Sequence, residues 1–174
     1  MVALISSAGA DAAVKRSFPP VVAPDTRLLL CGSLPGEHSL AAQRYYAHPQ
    51  NQFWQLMSGV IGRDLPALAY EDRLAALLAA RVGLWDVVAS ARRDGSSDAA
   101  IRDLVGNDLA GLVATLPDLR AIGFNGATSF RHGTKQLGEV PGLALIALPS
   151  SSPLHTVGAA AKQPAWNALR EYLA

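Results

Sequence analysis

The hydrophobic residues of this chain form short continuous runs that alternate with longer segments of helical spacing. Continuous runs are typical of strands buried on both faces, and they cover residues 27–31, 84–88, 120–124 and 143–148. The helical spacing covers residues 51–61, 70–82, 101–116 and 164–173. The alternation predicts an α/β fold, a three-layer α/β/α sandwich with a central four-stranded parallel sheet.

The length and the first residues indicate one domain behind a short arm. Residues 1–16 are rich in Ala, Ser and Gly without any period, and three prolines follow at positions 19, 20 and 24. We therefore expect residues 1–16 to be a poorly ordered N-terminal arm and residues 17–174 to be a single domain. A chain of 174 residues has the size of one ordinary domain.

Composition and charge exclude several classes of protein. Half of the residues are hydrophobic and 17% are charged, which is typical of a compact globular protein. The single cysteine, Cys31, cannot form an internal disulfide, and no Cys/His spacing suits a metal site, so we expect no metal and no cofactor. No apolar run approaches the ~20 residues of a membrane span. We expect a cytoplasmic monomer without membrane contact, and a net charge of +1 means that any DNA contact is local.

Three segments follow predicted strands or lead into helices near the carboxyl edge of the sheet, where parallel sheets bind ligands. The first covers residues 32–39, where Gly32, Pro35 and Gly36 predict a tight turn that brings backbone N–H groups close to a ligand. An ordinary strand-to-helix turn is the alternative. We expect this segment and the two described next to converge at one edge of the sheet.

The second segment, residues 45–54, is rich in aromatic side chains and contains one asparagine before a helix. Tyr46 could stack on a nucleobase, and the Asn51 carboxamide could orient water or bind a base edge. In the alternative interpretation, Asn51 caps the helix while Phe53 and Trp54 belong to the core.

The third segment, residues 148–155, places three consecutive serines before a leucine and a histidine. Hydroxyl and N–H groups are common neutral ligands of DNA phosphates, and a leucine on a loop is a common wedge between base steps. A solvated turn is the alternative for a serine-rich loop.

Together the three segments resemble the motifs of the uracil-DNA glycosylase superfamily. The chain has Gly-x-x-Pro-Gly after the first strand, an aromatic-Ala-His-Pro-x-Asn-x-Phe-Trp stretch, and a Ser-rich loop with Pro and Leu after the last strand. The similarity covers residues 17–174. It is closest to the hypoxanthine-DNA glycosylase branch, in residues 17–20, 32–36, 45–49, 83–87 and 150–153.

The resemblance implies a monofunctional DNA glycosylase in base excision repair. Such an enzyme flips a deaminated base, here hypoxanthine, out of damaged duplex or single-stranded DNA and hydrolyses the N-glycosidic bond. The uracil enzymes carry a catalytic Asp or Asn at the position of Leu34, which cannot polarise water. The resemblance therefore assigns catalysis to Asn51, which would hold the attacking water.

The resemblance also implies a set of base-binding residues, which are Gly32, Ser33, Leu34, Tyr46 and Asp86. Tyr46 matches the aromatic residue that stacks on the flipped base. Asp86 lies near the segment in which uracil enzymes carry their base-recognising asparagine, and its carboxylate could accept a purine N–H. A structural bond from Asp86 to Ser90 or Arg92 is the alternative. We expect Asn125 to be a helix N-cap.

The implied DNA-binding residues are Ser150, Ser151, Ser152, Leu154 and His155. Ser150 stands where the family normally has a histidine that stabilises charge on the leaving base. Ser151 and Ser152 would contact phosphate, and Leu154 matches the inserted wedge. His155 either contacts a phosphate or is a simple surface histidine.

Other functions remain open at this point. Within the family, the alternative is a mismatch-type uracil or thymine glycosylase. The losses at Leu34 and Ser150 also allow a lesion-binding module without catalysis. A hydrolase of free nucleosides cuts the same bond, but it would not need the serine loop and the leucine wedge. A serine hydrolase is not favoured, because no Gly-x-Ser-x-Gly elbow is present.

Overall fold

The computed structural model describes residues 13–174 of the chain. Its strands are β1 Val14–Arg16, β2 Leu28–Gly32, β3 Val82–Asp86, β4 Val88–Arg92, β5 Arg102–Gly106, β6 Ala121–Asn125 and β7 Ala144–Leu148. Its α-helices are α1 Glu37–Ala42, α2 Phe53–Ile61, α3 Tyr70–Ala79, α4 Leu109–Ala114, α5 Ala127–Leu137 and α6 Ala159–Asn167. Short 3₁₀ helices cover Leu65–Ala67, Asp98–Ala100 and Ala168–Tyr172. None of the helices in this part of the chain is long and apolar enough to cross a membrane.

The central sheet has four parallel strands in the order β3-β2-β6-β7. Its middle strands, β2 and β6, are buried at every position because helices cover both faces. Leu28 and Leu30 pack with α2, α3 and α6 on one face, and Leu29 and Cys31 pack with α4 and α5 on the other. This arrangement confirms the predicted three-layer sandwich with a four-stranded parallel sheet.

The helix α5 lies unusually close to the sheet. A Cβ atom on Gly133 would lie 2.1 Å from Cε1 of Phe124, so any side chain larger than hydrogen would force the helix away from β6. This close approach fixes the position of α5 behind β6, whose last residue borders the site described below.

A second, smaller sheet was not predicted. It is antiparallel, has three strands and runs in the order β1-β4-β5. The helix predicted over residues 101–116 is therefore wrong in its first half, since Arg102–Gly106 forms β5 and only Leu109–Ala114 is helical. The apolar side chains have helical spacing here, but pairing with β4 buries Leu104 against Leu34 and Val88 instead.

The expected N-terminal arm also needs a correction. Val14–Arg16 form β1, which pairs with β4 because the backbone of this segment completes the edge of the small sheet. Residues 1–12 of the predicted arm lie outside the described residues. The strand predicted over residues 84–88 divides as well, since β3 ends at Asp86 and β4 begins at Val88 in the other sheet.

Candidate active site

The three segments of interest meet around one cavity of about 490 Å³ beyond the carboxyl ends of the central strands. All eleven residues predicted for the site border it: Gly32, Ser33, Leu34, Tyr46, Asn51, Asp86, Ser150, Ser151, Ser152, Leu154 and His155. The connection between β4 and β5, residues 96–99, forms a further wall that the sequence did not indicate. The convergence of the three segments is confirmed, whereas the role of each residue stays a prediction.

Asn51 is oriented by two hydrogen bonds to its side-chain oxygen. The backbone N–H of Phe53 donates to Asn51 Oδ1 at 2.9 Å, and the Ser151 hydroxyl donates to the same atom at 2.8 Å. Because a backbone N–H can only donate, the atom that faces Phe53 must be the amide oxygen. The Nδ2 group is therefore what Asn51 can offer to a ligand, while its oxygen satisfies the first turn of α2.

The Ser151 hydroxyl belongs to a chain of hydrogen bonds that runs in one direction. The backbone N–H of Ser151 donates to Asn125 Oδ1 at 2.9 Å, which fixes the orientation of the Asn125 amide. Asn125 Nδ2 then donates to Ser151 Oγ at 2.8 Å, so the hydroxyl proton is left to donate to Asn51. Asn125 is not the expected N-cap, because it ends β6 and Gly126 caps α5.

This chain of bonds changes the role expected for Ser151. Its side chain is fully buried between Asn125 and Asn51, so it cannot contact phosphate at the surface. In the same loop, the N–H of Ser152 donates to Ser150 Oγ at 3.1 Å and that of Leu154 donates to Ser152 Oγ at 3.2 Å. The loop therefore offers the hydroxyl hydrogens of Ser150 and Ser152, while the Leu154 side chain is 62% exposed.

Asp86 places a buried carboxyl at the end of β3. Its Oδ2 atom has no hydrogen-bond partner among residues 13–174, so the alternative of a structural bond to Ser90 or Arg92 finds no support at this atom. Burial, and to a lesser extent the nearby Asp98, raise the pKa of Asp86 to about 7 against the opposing effect of Arg93. A buried, unpartnered carboxyl beside a cavity is a strong candidate for a ligand contact.

Gly32 and Tyr46 surround this carboxyl. A Cβ atom on Gly32 would lie 2.6 Å from Asp86 Oδ1 and 3.3 Å from the Tyr46 hydroxyl, so a side chain there would displace both groups. The Tyr46 hydroxyl is buried and has no hydrogen-bond partner among the residues that the structure describes. Burial and then Asp86 raise the pKa of Tyr46, and the nearby Asn125 amide opposes this rise. Tyr46 and Asp86 thus leave two polar atoms for a ligand.

The Tyr46 ring is on a loop, as expected, but it also packs against the core. The residue has a positive φ of 53°, and its ring stacks on Phe53 with centroids 3.8 Å apart and an angle of 12° between the planes. Because Phe53 covers one face of the ring, a flipped base could stack only on the other face. Phe53 and Trp54 are buried core residues, as the alternative interpretation of this segment held.

Two variants of Tyr46 separate stacking from packing. Tyr46→Ala should weaken binding of lesion DNA about tenfold or more, because base stacking contributes roughly 1–3 kcal/mol. Tyr46→Phe keeps the ring and removes a buried hydroxyl that no described residue satisfies, so its unfolding free energy should stay level or rise by about 1 kcal/mol. Equilibrium binding and thermal unfolding measure the two effects. Loss of cooperative unfolding in Tyr46→Ala would assign the ring to the core instead.

The turn after β2 is held by two charged residues that the sequence did not single out. The buried Arg93 guanidinium donates to the carbonyl oxygens of Leu34, Pro35 and Gly95. Asp98 accepts a hydrogen bond of 2.7 Å from the Ser33 hydroxyl. Within the sequence, Arg93 stands in an Arg-Arg-Asp run that is typical of a solvated surface, so no local signal indicated its burial.

These features define an α/β/α enzyme domain whose cavity suits a flipped nucleobase, with an amide, a carboxyl and a hydroxyl-bearing loop around it. Residues 19–170 match the family model described as the Uracil DNA glycosylase superfamily. The chain belongs to that superfamily, as its motifs indicated.

Individual relatives agree with this assignment. A hypoxanthine DNA glycosylase from Methanosarcina acetivorans is 38% identical over 156 residues, which cover 90% of this chain and 98% of the relative. A hypoxanthine DNA glycosylase from Methanosarcina barkeri is 42% identical over 115 residues, or 66% of this chain and 73% of the relative. A solution NMR structure from Methanosarcina acetivorans, provisionally named a uracil DNA glycosylase, has 38% identity and a TM-score of 0.82. That similarity covers 92% of this chain and 99% of the solved one.

Proposed function

We propose that this protein is a monofunctional DNA glycosylase that flips hypoxanthine out of DNA and hydrolyses its N-glycosidic bond, leaving an abasic site for base excision repair. The observation that carries the proposal is the buried Asp86 carboxyl. Its Oδ2 atom has no hydrogen-bond partner in the described part of the chain, and it borders the same cavity as the oriented Asn51 amide. The two curated relatives reported above, from Methanosarcina acetivorans and Methanosarcina barkeri, carry the name hypoxanthine DNA glycosylase.

Asp86 explains how such a site distinguishes the lesion from its parent base. Hypoxanthine carries a hydrogen on N1, whereas adenine carries a lone pair there. The ionised Asp86 carboxylate accepts a hydrogen bond from the N1–H of hypoxanthine and repels the N1 lone pair of adenine. Tyr46 stacks on the flipped base with the ring face that Phe53 does not cover. Uracil also presents a ring N–H between two carbonyl groups, so the same carboxylate makes uracil a second candidate substrate.

Asn51 takes part in the chemistry as a hydrogen-bond donor. Its oxygen is occupied by Phe53 and Ser151, so it holds the attacking water through Nδ2–H donated to the water oxygen. Cleavage of an N-glycosidic bond develops oxocarbenium character on the sugar, so the water does not have to lose its proton before it attacks. Positioning and electrostatic stabilisation, rather than a strong general base, then supply the rate enhancement.

The loop after β7 binds the DNA backbone in this proposal. Ser150 and Ser152 donate their hydroxyl hydrogens to phosphates, and His155 lies exposed beside them. Leu154 fills the space that the flipped nucleotide leaves in the helix, as apolar wedges do. Ser151 acts behind this surface by holding Asn51.

Base release from defined duplexes tests the function. The protein is incubated with duplexes that contain hypoxanthine, uracil, xanthine, ethenocytosine or only normal bases, and abasic sites are detected by alkaline cleavage. We expect the fastest release from hypoxanthine duplexes, none from adenine, and no hydrolysis of free deoxyinosine. Tight binding of the hypoxanthine duplex without any abasic product would instead indicate a lesion-binding module, and equal activity on free nucleosides would indicate a nucleoside hydrolase.

A further inference from the structure

Lys162 is a buried cation directly behind the DNA-binding loop. The residue lies in α6 and is 2% exposed. Its ammonium donates to three neutral oxygens, which are Gln52 Oε1 at 2.7 Å, the Ser150 carbonyl at 2.5 Å and the His155 carbonyl at 3.3 Å. These three bonds use all the hydrogens of the ammonium. No carboxylate of residues 13–174 lies within ion-pair distance of it.

The bonds of Lys162 join the two ends of the loop. Ser150 stands at its beginning and His155 at its end, so one side chain sets the distance between them. Neighbouring bonds attach the loop to the same helices, since Gln52 N–H donates to the Ser151 carbonyl and Trp166 Nε1 donates to the Pro149 carbonyl. Lys162 therefore fixes the segment that presents Ser150, Ser152 and Leu154.

The charge of Lys162 has no partner within the described protein. Burying an ammonium against neutral carbonyl groups is costly, and burial lowers the pKa of Lys162. The same three oxygens could be satisfied by neutral donors, so the bonds alone do not explain the charge. The residues that border the cavity include no lysine or arginine, whereas Glu37, Asp86 and Asp98 among them are acidic. An anion bound on the outer side of the loop would balance the buried ammonium.

We propose that Lys162 is a positioning residue for DNA: it sets the geometry of residues 150–155, and its unbalanced charge stabilises the phosphate that Ser150 and Ser152 contact. The inference rests on the proposed function, because it takes DNA as the ligand. Lys162 acts through the loop and does not touch the reacting atoms. A purely structural lysine would maintain the fold without changing the affinity for DNA.

Lys162→Met tests the inference, with Lys135→Met as the matched control. Lys135 is exposed in the last turn of α5, so its replacement makes the same charge change away from the loop. Lys162→Met should raise the Kd for a hypoxanthine duplex and for an undamaged duplex by about tenfold. The slope of log affinity against log salt should become shallower by up to about 1. The single-turnover rate at saturating enzyme should stay within about threefold, because Ser151, which orients Asn51, keeps its own bonds to Asn125 and to the Gln52 N–H. Lys135→Met should change none of these quantities.

A double variant tests whether Lys162 acts through Leu154, which a lysine that only maintains the fold would not do. If Lys162 positions Leu154, then Leu154→Ala should weaken binding less in the Lys162→Met protein than in the parent, because the loop is already released. Should Lys162→Met fail to fold, Lys162→Gln keeps two hydrogen-bond donors without the charge and takes its place. The proposal is overturned if Kd and the salt slope do not change, if only the saturated rate falls, or if neither variant folds. Binding of undamaged duplex needs no base release, so it gives this answer even if the proposed glycosylase activity is absent.

Discussion

Asn51→Asp should slow hypoxanthine release as severely as Asn51→Ala, by roughly 10²–10³-fold in the single-turnover rate. Aspartate has the shape of asparagine and can still accept from the Phe53 N–H and the Ser151 hydroxyl. What it lacks is the N–H pair that Asn51 presents to the cavity. A group that acts chiefly in the transition state should leave the Kd for lesion DNA nearly unchanged in Asn51→Ala. Rates are measured with saturating enzyme on hypoxanthine duplexes.

Ser151→Ala is the control for orientation, because it keeps the Asn51 amide and removes one of the two bonds that fix it. Its rate should fall between those of the parent and Asn51→Ala. If Asn51→Asp instead retains the parental rate, then Asn51 acts as a hydrogen-bond acceptor. The role assigned to its Nδ2 group as the donor to water would then be wrong. If Asn51→Ala retains the parental rate while Asp86→Ala does not, the catalytic group is the carboxyl on β3.

The central sheet and the place of the site could be predicted because both depend on local patterns. Strands buried on both faces need continuous apolar runs, and β2 and β6 are buried at every position. Parallel strands end at one edge of the sheet, so the segments with Asn51 and Ser151 had to meet there. The resemblance to the superfamily then added roles that no single segment could specify.

The small sheet and the polar contacts behind the site could not be predicted, because they depend on partners distant in sequence. The apolar spacing after Ile101 is compatible with a helix, and only the unpaired edge of β4 makes a strand more stable there. Arg93 and Lys162 look like surface residues in the sequence but are buried by carbonyl groups of other segments. Asn125 was expected at a helix end because its bond to Ser151, 26 positions away, is invisible before folding.

Below about pH 7, the protein should lose both activity on hypoxanthine and its discrimination against adenine, because Asp86 then carries a proton. Burial and the nearby Asp98 together raise the pKa of Asp86 to about 7, against the opposing effect of Arg93. A neutral carboxyl accepts the N1–H of hypoxanthine less strongly than a carboxylate does, and its O–H can donate to the N1 lone pair of adenine instead of repelling it. We expect kcat/KM on hypoxanthine duplexes to approach a tenfold fall per pH unit below this midpoint. Rates on hypoxanthine and adenine duplexes between pH 5 and 9 measure it.

Asp86→Asn should remove this pH dependence. It should also raise the free energy of unfolding at high pH, whereas replacing an ordinary ion-paired carboxylate lowers it. The folded protein holds the Asp86 proton between about pH 4 and 7, whereas the unfolded chain has released it, so the contribution of Asp86 to stability is lost as pH rises through this window. Asp86→Asn should therefore be more stable than the parent at pH 8, by up to a few kcal/mol, and equally stable near pH 4. Denaturant unfolding at both pH values measures this difference. The control Asp94→Asn changes an exposed acid on the connection after β4 and should leave the pH profiles of rate and stability unchanged. An Asp86→Asn protein that still rejects adenine as well as the parent does would exclude Asp86 as the group that recognises N1, whatever its effect on stability.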